Sequence, residues 1–210
     1  MKLRPFVAFM LACIIWAAPA SAAIVGDAQV SYAAVRTLTV DNKSYTGKVF
    51  HAPGVDREDQ NIQGMELIFI LNIPKTTGVV MAPSLTTYAD FPLPRLLAEI
   101  DSRRLKGNAV GEDTISGLRA TKYRLDYAAS DGTRGEGFLW LTGDNILVQL
   151  EGKITRSGHR PTVVRMELSN IHLGPQNPDL FNIPAGMRRL PPEALEALLN
   201  LRSNFSRFKK

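Results

Sequence analysis

The sequence predicts a β-rich α+β fold, an incomplete antiparallel β-barrel of about ten strands with a short lid helix and a C-terminal helix. Three observations lead there. Turn signals recur about every ten residues from Gln29 onward, with alternating or β-branched runs between them. The connections are too short for the crossovers that parallel pairing needs, so neighbouring strands run antiparallel. Two segments, 92–105 and 191–208, change from period two to helical spacing.

The chain opens with "MKLRPFVAFMLACIIWAAPASA". Lys2 and Arg4 precede an apolar run from Phe6 to Ala18, and Ala20-Ser21-Ala22 supplies the small residues of a signal-peptidase site. Residues 1–22 read as a cleaved secretory signal with cleavage near Ala22, which places the protein in the periplasm. Cys13 ends a lipobox-like "MLAC", but the apolar run continues through Ile14-Ile15-Trp16, so lipid anchoring there is not expected. Cys13 is the only cysteine, and cleavage removes it, leaving no disulfide or thiolate site. The formal net charge of +5 is concentrated at the two ends. Residues 23–186 hold 17 cations and 18 acids, which is not the basic face of a nucleic-acid binder.

Within the predicted body, 23–190, "VSYAAVRTLTV" (30–40) puts Val30, Tyr32, Ala34, Leu38 and Val40 on one face. A strand at 44–52 returns after Asp41-Asn42-Lys43, and Pro53-Gly54 leads into the polar "VDREDQ" (55–60). Near-continuous apolar residues follow at 64–72, then strands at 78–82 and 86–91. Further strands are expected near 109–114, 119–128, 134–141, 145–156 and 162–171. Segment 92–105 aligns Leu93, Leu96, Leu97, Ile100 and Arg104 on one helical face, with Pro94 in the first turn. Segment 191–210 is an amphipathic basic tail whose Arg202, Arg207, Lys209 and Lys210 offer a possible contact with an anionic membrane surface. A curled sheet has a hollow side that something must cover, and the 92–105 stripe needs a partner.

"LGPQNPDLFNIPAGMRRL" (173–190) resembles the closing segment of the periplasmic lipoprotein-localisation (LolA/LolB-like) superfamily. The resemblance extends through "GKVFHAPGVDRED", a strand, a proline turn and a return strand, and through "GVVMAPSLTTYADFPL", "ISGLRATKYRLDY" and "DGTRGEGFLWL". It is most similar to a branch of unassigned function. It implies a half-barrel that holds acyl chains, another apolar ligand or a lipoprotein segment, with 92–105 as its lid. Phe181 and Ile183 would then face inward from the last strand, pinned by Pro178 and Pro184, with Gly186 turning the chain away so that the stretch closes the barrel. Where the carrier pattern has an arginine before the early proline, this chain has Ala52, which separates it from strict lipoprotein shuttles.

The expected cavity and lid residues are Val49, Met65, Leu67, Phe69, Leu71, Met81, Leu96, Leu97, Ile100, Phe138 and Trp140. The competing reading is an envelope interaction or sensing module whose core is filled by side chains. His51, His159 and His172 stand at no ligand spacing, so neither metal nor cofactor is expected. His51 reads as a residue of the barrel rim. No nucleophile elbow occurs, and neighbouring acids on a strand point to opposite faces, so no catalytic residues are assigned and the chain does not read as an enzyme.

Overall fold

A computed structural model describes residues 27–62, 64–72, 74–75, 77–92, 108–128, 132–194 and 197. The elements are β1 (Tyr32–Val40), β2 (Lys43–Ala52), β3 (Val55–Ile62), β4 (Met65–Asn72), β5 (Thr77–Ala82) and β6 (Thr87–Pro92). They continue with β7 (Asn108–Ile115), β8 (Leu118–Ala128), β9 (Arg134–Thr142), β10 (Leu147–Thr155), β11 (Thr162–Leu173) and β12 (Arg188–Arg189). Helical residues 192–194 begin a C-terminal segment, most of which lies outside the described residues; of the segment 92–105 expected to form the lid, Pro92 ends β6 and the rest lies outside them too.

All twelve strands join one open sheet in the order β12-β6-β5-β4-β3-β2-β1-β11-β10-β9-β8-β7. Every pairing is antiparallel except the last, where β12 runs parallel to β6. The sheet does not close, so the architecture is an incomplete barrel. Short turns set the register. At Pro53-Gly54 the glycine takes φ +86°, a conformation that a side chain disfavours. At Ser116-Gly117 both residues have positive φ, the backbone of a two-residue type I′ hairpin.

The polar "VDREDQ" stretch lies in the return strand, β3. Its burial alternates, with Asp56, Glu58, Gln60 and Ile62 buried between less buried neighbours. Directly paired residues share a face. Val49, Glu58 and Phe69 are therefore in line across β2, β3 and β4, and His51, Asp56 and Leu71 form the next line. We call this side the core face, because the main buried cluster, including Leu38, Val49, Met65, Leu67, Phe69 and Met166, belongs to it.

The opposite side carries a smaller apolar cluster of Ile68, Ile70 and Met81, against which Val55, Val79, Tyr88 and Met187 pack. A strap crosses it. After β11 the chain makes a 3-10 turn at Pro178–Phe181, capped by Asn177, whose side chain accepts the Asp179 N–H at 3.0 Å. Arg57, which points away from the core face, donates to the Leu180 carbonyl at 2.9 Å and holds Asp59 at 2.6 Å. The strap ends at the far edge, where Arg188 N–H donates to Thr86 O and Leu190 N–H to Tyr88 O.

This corrects the expectation for 181–186. Phe181 lies in the 3-10 turn and is half-buried, Ile183 is 37% exposed, and Pro184 is exposed. Neither Phe181 nor Ile183 is an inward strand residue. Gly186 does turn the chain, with φ +83°, just before β12. The stretch adds an edge strand from the outer side, because the strap must cover the apolar patch that β4 and β5 leave there.

Candidate functional site

The core face combines apolar side chains with a buried polar network. Period-two alternation on β4 brings Met65, Leu67, Phe69 and Leu71 to this face, and Val49 joins them from β2. Those five expected lining residues are thus together. Met81 is not with them: it pairs with Ile68 and belongs to the strap-side cluster. Trp140 is a member of the main buried cluster, and Phe138 packs against it. Trp140 Nε1 donates to Asp113 at 2.7 Å, and the Lys122 ammonium lies 4.4 Å and 4.7 Å from the Phe138 and Trp140 ring centres. Ala120 and Val148 belong to the same buried cluster. Leu96, Leu97 and Ile100 lie outside the described residues.

The network has two nodes. In the first, Arg36 Nη1 donates to Glu58 Oε2 at 3.0 Å, and Gln60 Nε2 donates to Glu58 Oε1 at 2.5 Å. Arg36 is 6% exposed, Glu58 and Gln60 2% each. Burial pushes the Glu58 carboxyl above the ordinary carboxylate range, while the Arg36 charge and the Gln60 hydrogen bond pull it back. Gly47 makes the node possible. It pairs with both Arg36 and Gln60, and a Cβ there would collide with the Gln60 amide and the Asp59 carbonyl. Gln60 Oε1 is fully buried and accepts no hydrogen bond.

In the second node, His51 Nδ1 lies 2.6 Å from Asp56 Oδ1 and Nε2 lies 2.9 Å from the Ala28 carbonyl. A carbonyl only accepts, so Nε2 donates, and an ionised Asp56 makes Nδ1 a donor as well. This is the geometry of an imidazolium. Burial opposes that charge, but the bond to Asp56 and its charge, with Ala28 and Asp27, hold the His51 pKa above its usual value. Tyr32 stacks on the ring at 5.1 Å, and burial pushes its hydroxyl pKa up. Asp27 accepts the Gly54 N–H at 2.5 Å, pinning the first described residues to the β2–β3 turn. His51 is therefore a buried keystone, not a rim residue. Because both ring nitrogens are engaged, it is not placed to take a proton from a substrate. Among the described residues no group of three His, Cys, Asp or Glu could hold a metal ion.

Sequence reasoning missed Arg36, Glu58 and Gln60. The signal was available: Asp56, Glu58 and Gln60 stand at i, i+2 and i+4, which on a strand means one face. Only adjacency was weighed, and adjacent acids do diverge, as Glu58 and Asp59 do.

No protein-family model and no curated protein matches the sequence. Solved structures match in fold. An uncharacterised conserved protein from Thermus thermophilus superposes with a TM-score of 0.51 at 9% identity, over 78% of this chain and 91% of that one. The MucA/MucB complex of Pseudomonas aeruginosa matches at 0.48 and 13% identity, over 76% of this chain and 58% of that one. A LolA superfamily protein from Nitrosomonas europaea matches at 0.40 and 9% identity, over 84% and 96%. At such identities the likeness is one of fold alone, and the fold is an incomplete barrel.

Proposed function

We propose that this chain is an exported periplasmic carrier or chaperone-like protein that shelters an apolar ligand, an acyl chain or lipid, between the core face and the segment 93–107. The observation that carries the reading is topological. β6 and β7 are consecutive in sequence but ten positions apart in the sheet. Laid flat, that separation is about 48 Å at the usual ~4.8 Å between strands. A helix of the fifteen intervening residues spans only about 22 Å. As the helix that its sequence predicts, the amphipathic segment joins the two edges only if the sheet curls, and it then bridges the mouth.

The strap already occupies the opposite side over β3 and β4. The stripe of Leu96, Leu97 and Ile100 then finds its apolar partner in Leu67, Phe69 and Val49. A ligand lies between two surfaces that would otherwise pack on each other, which favours a reversible site over a permanent core. The basic tail, with Arg202, Arg207, Lys209 and Lys210, serves as a contact with anionic membranes.

The test is solvent extraction of the full chain purified after export, with mass spectrometry of the extract, followed by titration with an apolar naphthylamine dye. A retained lipid or saturable dye binding is expected. Neither would be found if the interior is filled by side chains. A second reading, an interaction module, is favoured by β7: this edge strand of eight residues is exposed from Ala109 to Thr114, with Val110 51% exposed.

A further inference from the structure

We infer that the ligand head is an uncharged hydrogen-bond donor, a hydroxyl or an amide N–H, received by Gln60 on the core face. This rests on the carrier reading above and names the ligand class for the same site.

The argument starts from what each buried polar atom already does. Arg36 is answered by Glu58, and His51 by Asp56. These are the two buried cations among the described residues. Each of these charges is already balanced by a buried carboxylate. An acidic head would enter beside Glu58 and lose its hydration without compensation. Gln60 is different. Its Nε2 must face Glu58, because a carboxylate accepts and only the nitrogen donates. That fixes the orientation of the amide and leaves Oε1 as a buried acceptor with no partner. Buried acceptors of this kind are rare and costly, and a donor arriving from a ligand relieves the cost.

The surroundings suit an acyl chain behind such a head. Leu67 is directly opposite Gln60 across the β3–β4 pair, and Phe69 is opposite Glu58. Gly47, without a side chain, lets the Gln60 amide pack directly on the β2 backbone. A neutral head at Gln60 thus places its chain along Leu67 and Phe69 without burying any charge.

The experiment uses the full chain purified after export and the naphthylamine dye, displaced by four compounds of equal chain length: decanamide, decanol, methyl decanoate and decanoate, at about pH 8, where decanoate is ionised. Decanamide and decanol are expected to displace the dye at roughly three- to tenfold lower concentration than methyl decanoate, which has acceptors only, with decanoate weakest. Gln60→Met should erase the preference and leave methyl decanoate unchanged. Equal displacement by methyl decanoate, tighter displacement by decanoate, or a preference that survives in a folded Gln60→Met variant would each overturn the inference. If that variant does not fold, as read by circular dichroism, the wild-type comparison of decanamide with methyl decanoate decides alone. Should the dye itself not bind saturably, the carrier reading has failed and this inference goes with it. A bound dye displaced without preference defeats only the inference.

Discussion

Removing the Arg36 guanidinium should be the most damaging single change on the core face. Arg36→Leu leaves Glu58, 2% exposed, with one hydrogen bond from Gln60 and no counter-charge. Breaking a buried ion pair in this way costs about 3–5 kcal/mol. For a chain of this size that is a fall in melting temperature of about 6–20 °C. The loss should depend on pH, and its direction follows from Glu58. Burial already holds this carboxyl above its usual range against the pull of Arg36. Without Arg36 it goes higher. Between the ordinary glutamate value and the raised one, the folded variant keeps a proton that the unfolded chain has released, so stability falls as pH rises through that window. Below the ordinary value both states are protonated and the variant recovers. Arg36→Leu/Glu58→Leu should regain at least about 2 kcal/mol, although it leaves the Gln60 amide without its acceptor. The assay is urea unfolding of wild type, both singles and the double at about pH 5 and pH 8. A loss under about 1 kcal/mol for Arg36→Leu would refute the reasoning. So would a loss equal at the two pH values, or a double variant as unstable as the singles.

Further outcomes follow from neighbouring contacts. His51→Gln should cost about 1–3 kcal/mol at mildly acid pH and flatten the stability profile, because the raised His51 pKa contributes stability below about 6.5 that is lost as pH rises through the folded value. Thermal melts across that range measure the slope, and an unchanged slope contradicts the imidazolium assignment. Gly47→Ala should displace the Gln60 amide and cost about 1–3 kcal/mol by denaturant titration, whereas a neutral outcome would mean the node has slack. Arg57→Ala should lower stability by about 1–2 kcal/mol and speed thermolysin cleavage within 178–187, since Arg57 holds the Leu180 carbonyl. Unchanged cleavage would show that Met187 and β12 secure the strap alone.

The sheet was legible because hairpin chemistry is local. Pro53-Gly54 and Ser116-Gly117 announce their turns, and the strands between them follow. β12 was not, since two residues pairing in parallel with β6 leave no periodic trace. On β4, an apolar run buries both faces, so Ile68 and Phe69 look alike in sequence while facing opposite sides. The same ambiguity put Met81 among the expected lining. Acidic residues in β3 concealed that this return strand is part of the core, because burial of Glu58 depends on Arg36, 22 residues away. The resemblance implies Ile183 inside, but the chain leaving the 3-10 turn at Pro178–Phe181 carries it at the surface.

The most direct test of the central claim is photolabelling with an alkyl diazirine carried on a decyl chain, with adducts mapped by peptide sequencing. On β4 consecutive residues face opposite sides, so the pattern itself discriminates. Adducts on Leu67, Phe69 and Val49, competed by unlabelled decanol, are the expected result. Adducts confined to Ile68, Ile70 and Met81, or no competable labelling, would contradict a ligand sheltered on the core face.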